Sequence, residues 1–199
     1  MNMKQFAKKA WTSIAIAGVV GIGATMVGGV ALPAHQVKAA AAASQNDEDT
    51  AQALRTLNSF YKPALKGQFP GAVSDLTIGK STRKDVIKGI GEPMAERKKA
   101  SDFDLYSADM GSPGYAFLYD KSDKIKEIRY FGTNVERQTN IGGITMSMVK
   151  KHWFAPDSTK TFKTGKKKQT KLTYIRGNYK LEFIFNSSTD LDHINLLAK

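Results

Sequence analysis

The chain writes one pattern twice, and this repetition limits its possible folds more than any other feature. Ile78 to Pro93 aligns with Ile141 to Pro156 without gaps at a constant offset of 63 residues, matching Ile78/Ile141, Gly79/Gly142, Thr82/Thr145, Val86/Val149, Lys88/Lys151 and Pro93/Pro156. Each copy has a glycine lead-in, a threonine suited to helix N-capping, an apolar pair four residues apart (Val86 and Ile90; Val149 and Trp153) and a proline stop. Thr82 with Asp85 also meets the reciprocal capping pattern, whereas Thr145 has Met148 at that place, so the second cap is expected to be the weaker.

After each helix the period changes to two. Tyr115 to Phe131 aligns with Leu181 to Leu197 at an offset of 66, pairing Phe117/Phe183, Tyr119/Phe185, Ile125/Leu191, Ile128/Ile194 and Tyr130/Leu196. Strand, polar turn and strand make a hairpin, and a further strand is expected before each, around Phe103 to Ser107 and Lys171 to Arg176. One such unit cannot cover its own apolar face; two side by side can. The predicted fold is α+β: a tandem helix-plus-three-strand repeat forming one antiparallel sheet with helices packed on one face. It occupies a single domain, residues 50–199, with repeat one about 76–132 and repeat two about 140–198. A helix in front of the repeats is predicted from Leu54, Leu57, Tyr61 and Leu65, with Pro63 as a kink and Gly67 as its stop.

The start of the chain is a targeting pattern. Lys4, Lys8 and Lys9 precede an apolar run from Trp11 to Leu32, and Val37-Lys38-Ala39 before Ala40 fits a small-residue cleavage site. Residues 1–39 therefore read as a secretory signal peptide cut between Ala39 and Ala40, and residues 40–49, small and polar, as a flexible leader. A run of about 20 apolar residues also suits a retained membrane anchor. The glycines within the run favour cleavage, which leaves no stable membrane span. The chain has no cysteine, which removes thiol catalysis, thiolate metal sites and lipid attachment at the signal. A lysine-led signal on a cysteine-free chain points to a Gram-positive bacterium and to a secreted, extracellular or wall-associated protein.

Loss of the signal removes four of the 30 basic residues and leaves 26 against 18 acids, a net charge of +8. Such an excess draws a protein to polyanions in a salt-dependent way. Outside a Gram-positive cell those are teichoic acid, other anionic envelope polymers and anionic lipid; nucleic acid shares the sign but not the compartment.

The tandem pattern of glycine lead-in, T-x-x-x-V-x-x-x-x-G-x-P helix and aromatic hairpin resembles the beta-lactamase-inhibitor-protein-like fold. FYKPALKGQFPG (Phe60 to Gly71), TRKDVIKGIGEP (Thr82 to Pro93), ITMSMVKKHWFAP (Ile144 to Pro156) and YKLEFIF (Tyr179 to Phe185) are similar, more closely, to the YjgB-like family of secreted Gram-positive proteins of unknown function. This resemblance covers nearly all of the chain after Thr50. It implies a fold and an export route, and no reaction or catalytic residue. The chain departs from the family pattern of tryptophan-glycine before the proline: the first copy has Ile90-Gly91 and the second Trp153-Phe154, so the second helix lacks its glycine stop.

Few residues are equipped for chemistry. Beyond the signal only His152 and His193 remain; His152 reads as a helix-surface residue, and Asp190, Asp192 and His193 as a strand-end turn rather than a metal cluster. Asp120 to Ile125 lacks the glycine and distal glutamate of a calcium loop. No metal or cofactor is expected. Two features suit binding instead. Lys163, Lys166, Lys167, Lys168, Lys171 and Arg176, with Arg97, Lys98 and Lys99 in the corresponding region of the first copy, are expected to form two basic loops at one end of the fold and a bipolar anion site. Strand parity places Tyr179, Leu181, Phe183 and Phe185 beneath the helices and leaves Leu118, Glu127, Arg129, Phe131, Lys180 and Glu182 on an open face suited to a protein partner. The expected function is a non-catalytic secreted or wall-associated binding protein. An inhibitor or modulator of an extracellular enzyme is the alternative by fold analogy, and a hydrolase built on Asp102, Asp104 and Asp109 is the third.

Overall fold

Alanine has the highest helix propensity of any residue, and the run Ala39 to Ala43 is helical. A computed structural model describes residues 34–109 and 111–199, and its first helix, α1, is Ala34–Ser59. The leader expected to be flexible at 40–49 is thus the middle of a helix. Most of the expected signal segment, residues 1–33, lies outside the described residues. Among the described residues no helix is long and apolar enough to cross a membrane.

Pro63 ends α1 rather than merely kinking it. Its ring meets the carbonyl four residues back, that of Ser59, which is where α1 stops; a separate turn of helix then spans Tyr61–Ala64. The buried stripe runs through the break in phase, as Ala53, Leu57, Phe60 and Ala64 at steps of four, three and four, and the line of Leu54, Tyr61 and Leu65 lies to one side of it. Phe60 and Ala64 are buried, while Tyr61 and Leu65, predicted for the core stripe, are 44% and 47% exposed.

The two repeat helices are α2 (Arg83–Ile90) and α3 (Met146–Trp153). Thr82 and Asp85 form the complete reciprocal box, with the Thr82 backbone N–H donating to Asp85 at 2.8 Å. Thr145 accepts from the Met148 N–H at 3.1 Å, and the Met148 side chain has no group to return a bond, as its sequence context implies. Each helix ends on a left-handed residue: Gly91 at φ 87° and Phe154 at φ 63°. Phe154, with ψ −166°, occupies a region that costs a side-chain-bearing residue about 1–3 kcal/mol. The Tyr174 hydroxyl donates to its carbonyl at 3.0 Å and holds it there. The ring is 80% exposed, so removing it forfeits little burial. Phe154→Gly is expected to raise the unfolding free energy by about 1 kcal/mol and the melting temperature by roughly 2–4 °C. An unchanged or lower melting temperature by calorimetry would show that the strain is relieved elsewhere.

Seven strands follow: β1 (Asp104–Tyr106), β2 (Tyr115–Tyr119), β3 (Ile125–Tyr130), β4 (Ser158–Thr164), β5 (Lys167–Arg176), β6 (Tyr179–Phe185) and β7 (Leu191–Ala198). They form one antiparallel sheet in the order β1-β2-β3-β7-β6-β5-β4. The second repeat therefore has four strands where three were expected. β4 is exposed on both sides along nearly its whole length, so it carries no apolar alternation to announce it. Its counterpart in the first repeat is a single bridge, Ala95 to Leu105.

The register shows how the repeats meet. Both aromatic hairpins carry an irregularity at the same place, after Leu118 and after Ile184. At the joint, β3 pairs with β7 so that Arg129 faces Asn195, its own repeat mate at the offset of 66. Ile128 faces Leu196 and Tyr130 faces Ile194, so each pairs with the mate of the other. A pseudo-twofold axis thus passes through the Arg129/Asn195 pair, and the joint is isologous, like the interface of a symmetric dimer.

Register also refines the alignment. Asp104 and Leu172 pair with the equivalent residues Phe117 and Phe183, and Tyr106 and Tyr174 pair with Tyr115 and Leu181. The extra residues of the second repeat accordingly lengthen the β4–β5 hairpin.

One face of the sheet and the helices share the core. Phe117, Tyr119, Ile128, Tyr130, Leu172, Tyr174, Leu181, Phe183, Phe185, Ile194 and Leu196 pack against Leu57, Phe60, Val86, Val149 and Trp153. Trp153, the mate of Ile90, stands edge-on to Tyr174 and Phe183 and donates its indole N–H to Asn58 at 3.1 Å.

Candidate binding groove

The sheet's other face is not flat. Strand alternation turns Glu127, Arg129, Asn195, Leu197, Lys180, Glu182, Ile184, Lys171, Thr173 and Gln169 away from the helices, and β4 brings Phe162 and Thr164 alongside. A groove of about 660 Å³ runs across β3, β7, β6, β5 and β4. Of the residues predicted for a protein-contact face, Glu127, Arg129, Phe131, Lys180 and Glu182 line it; Leu118, half-buried on β2, lies outside it.

The groove belongs to one repeat. By register, Phe103, Leu105 and Ala116 of the first repeat correspond to Lys171, Thr173 and Glu182 of the second. The first half is apolar: Ala116 is buried, the Arg129 guanidinium lies 4.1 Å from the Phe103 ring centre, and Leu105 is 40% exposed. The second half is polar: Gln169, Thr173, Glu182 and Asn195 are each 6–7% exposed, four of the five buried polar residues of the described chain. Burying a polar group without a partner costs free energy, so this floor is heavily bonded. Gln169 donates to Asn186 at 2.9 Å and accepts from Thr164 at 2.7 Å. Lys171 reaches Glu182 at 2.9 Å. The side-chain oxygen of Asn195, on the pseudo-twofold axis, has no partner among the described residues.

At one rim the Asp192 carboxylate meets His193 Nδ1 at 2.6 Å and accepts from Asn186 at 3.0 Å. The His193 hydrogen bond is the main cause that holds the Asp192 carboxyl down to about 2. A depressed carboxyl pKa stabilises the fold above the ordinary carboxylate range, and this contribution fades as pH falls from about 4 toward 2. The His193 ring lies 5.5 Å from that of Phe131.

The basic residues do not form a bipolar site. Arg97, Lys98 and Lys99 lie beyond β1, while Lys163, Lys166, Lys167 and Lys168 lie on the β4–β5 hairpin, at opposite edges of the sheet. The pseudo-twofold axis demands this, because it sends equivalent loops to opposite ends. Arg97 stacks 5.0 Å from the Tyr119 ring and pairs with Asp123. Arg176 is enclosed by Tyr61, Trp153 and Tyr174, with ring centres 4.9–5.1 Å away. Both are engaged in packing. Lys171 belongs to the groove, leaving Lys163, Lys166, Lys167 and Lys168 as an exposed hairpin cluster.

The carboxylates considered for hydrolysis hold local structure. Asp104, fully buried, takes Arg83 at 2.6 Å and the Arg97 backbone N–H at 2.8 Å. Asp102 caps the Lys99 N–H and Asp109 the Gly111 and Ser112 N–H groups. Among the described residues no group of three histidines, aspartates or glutamates is placed to hold a metal ion.

Gln169, Thr173 and Asn195 were absent from the predicted site. The parity rule that assigned β6, applied to residues 167–176, would have placed Gln169, Lys171 and Thr173 on the open face. Their burial depends on neighbouring strands and carries no local signal.

A tandem-repeat α+β sheet with helices on one face and a polar groove on the other is the class of protein defined by this geometry. The family model described as Domain of unknown function (DUF4309) matches residues 57–197, and the chain belongs to that family. It is 39% identical over 195 residues to the uncharacterized protein YjgB of Bacillus subtilis strain 168, covering 96% of this chain and all of that one. The crystal structure of a DUF4309 family protein, YjgB, from Bacillus subtilis at 2.13 Å resolution superposes with a TM-score of 0.67 and 38% identity, covering 73% of this chain and 97% of that one.

Proposed function

We propose that the chain is an exported, non-catalytic binding protein of the Gram-positive envelope that contacts anionic wall polymer through the β4–β5 hairpin. The observation that carries this reading is the charge of the hairpin: Ser158 to Arg176 holds seven lysines and arginines and no acid. Export is supported by the lysine-led apolar run and small-residue site of residues 1–39. Lysines on an edge strand also discourage pairing with other chains, a role that requires no ligand. The two roles differ in their response to salt.

Co-sedimentation of the protein lacking residues 1–39 with Gram-positive walls, with and without teichoic acid, separates them. Binding is expected to need the polymer and to weaken steeply as salt rises. The triple substitution K166E/K167E/K168E is expected to abolish it without changing the melting temperature. Binding indifferent to both salt and charge reversal would leave the hairpin with its edge-protecting role alone.

A further inference from the structure

We propose that the end of the fold built from the Tyr61–Ala64 turn, the close of α3 and the β5–β6 turn is a membrane-surface contact, which rests on anionic lipid through Phe154. The two repeats provide an internal comparison. Gly91 and Phe154 hold the same place at nearly the same backbone geometry, φ 87° and ψ −171° against φ 63° and ψ −166°. Glycine adopts it without strain. The second repeat puts a phenylalanine there, strained and 80% exposed. A ring so exposed adds little to the core, so stability alone is served by glycine, and the ring is explained by a contact outside the chain.

Phe154 does not stand alone. Tyr61 and Leu65 are 44% and 47% exposed at the same end. The Tyr61 ring is edge-on to Trp153, the residue before Phe154, at 5.3 Å, and the Leu65 carbonyl lies beside Gly177 at the β5–β6 turn. The Arg176 guanidinium packs 4.9–5.1 Å from the rings of Tyr61, Trp153 and Tyr174, and the Tyr174 hydroxyl holds the Phe154 carbonyl. The exposed groups are thus presented on a packed base.

Their surroundings are basic. Around the Tyr61–Ala64 turn, Phe60 and Ala64 face the core, Tyr61 and Leu65 lie one step round, and Lys62 and Lys66 one step further, exposed. Lys150, Lys151 and His152 are exposed in the last turn of α3. Residues 60–71, 146–156 and 174–178 together carry five lysines and arginines and no acid. Asp157, the next acid along the chain, is held by the Ile175 backbone N–H at 2.7 Å. Apolar and aromatic side chains among lysines suit an anionic bilayer, where rings enter the interface and ammonium groups meet the phosphates. They suit a protein partner less: three exposed apolar side chains are few against the roughly 20–30 residues a side of a stable protein interface. The lysine hairpin lies at the far end of the ten-residue β5, roughly 30 Å away, so this contact does not depend on it.

The test is flotation with vesicles. All residues of the described core lie between Ala53 and Leu196, so the protein lacking residues 1–39 keeps its core and loses the apolar run that would itself enter a bilayer. At physiological ionic strength it is expected to bind vesicles of equal parts phosphatidylglycerol and phosphatidylcholine, and vesicles of phosphatidylcholine alone at least about tenfold more weakly. Phe154→Gly, which relieves strain and keeps the fold, is expected to weaken binding about tenfold. K62E/K66E is expected to weaken it more than about tenfold, while K166E/K167E/K168E changes it less than about threefold, since the hairpin is several screening lengths away. Trp153 is the only tryptophan beyond residue 39, and brominated phosphatidylglycerol in the vesicles is expected to quench its emission; adsorption through the hairpin would leave it unquenched. Absence of binding to the anionic vesicles overturns the proposal, as does equal binding to the neutral ones, full binding by Phe154→Gly or a loss caused by the hairpin variant alone. The last result assigns the attraction to the hairpin, and the others leave the wall-polymer reading standing. Self-association abolished by Phe154→Gly, without vesicle binding, would assign the surface to a second copy of the chain and overturn the proposal too.

Discussion

Asp104→Ala is expected to lower the unfolding free energy by about 3 kcal/mol and the melting temperature by roughly 6–12 °C. The carboxylate is fully buried, and it is the principal partner of Arg83, at 2.6 Å. Truncation leaves a guanidinium at the edge of the core without its counter-charge. The effect stays near the low end for a broken buried pair because Arg83 is 24% exposed and also reaches Glu96 at 3.4 Å. The second repeat shows the alternative solution: Met146 stands where the first has Arg83, and Leu172 stands where it has Asp104. The double substitution R83M/D104L should therefore recover most of the loss, since replacing a buried pair with packed apolar groups is close to neutral. Chemical denaturation of the two variants decides the matter. If the double variant is as unstable as Asp104→Ala, the pair has a role that its repeat mates do not share.

The second large effect is alkaline. Tyr106, Tyr115, Tyr119, Tyr130 and Tyr174 all have their phenol pKa raised, in each case chiefly by burial; Tyr106 and Tyr174 are pushed up to about 12. Tyr130 also donates to Glu136 at 2.7 Å, which favours its neutral form. These groups hold their protons in the folded protein and release them near pH 10 when unfolded. Their contribution is fully present below about pH 10 and is lost as pH rises above it, by about 1.4 kcal/mol per unit for each tyrosine still protonated in the folded state. Five such groups would cost about 7 kcal/mol per unit, comparable to the whole stability of a domain. The protein should unfold cooperatively between about pH 10 and 12, with phenolate absorbance and loss of far-ultraviolet circular dichroism rising together. Full ionisation of the tyrosines while the circular dichroism stays native would refute this.

Local elements were legible because their signals are local. The caps at Thr82 and Thr145, the period of two in the aromatic hairpins and the missing glycine at Phe154 are each read within one turn or one strand. Their consequences appear in the structure as a box, a single capping bond and a strained residue. Local patterns also failed in recognisable ways. Leu65 has the spacing of a core residue and is 47% exposed, because the buried stripe is Ala53, Leu57, Phe60 and Ala64 and the equally well spaced line of Leu54, Tyr61 and Leu65 lies beside it. β4 has no apolar face to display, because both of its sides meet solvent.

The candidate site was legible only in part. Parity along β3 and β6 found Glu127, Arg129, Phe131, Lys180 and Glu182, since a strand's faces are set by its own sequence. Gln169, Thr173 and Asn195 look like ordinary polar strand residues, and only the strands on either side make them the floor of a groove.

The sequence by itself determined that this protein is a repeated α+β unit with an aromatic core face, because side-chain periods of 3.6 and 2 are properties of the chain alone. Tertiary structure decided how the two units meet. The pairing of Arg129 with Asn195 makes the joint a pseudo-twofold rather than a translation, parts the two basic segments to opposite edges and brings the polar half of the open face together. Repeat equivalence is preserved by either arrangement, so no pattern along the chain distinguishes them; the choice rests on contacts between residues 64 to 70 positions apart.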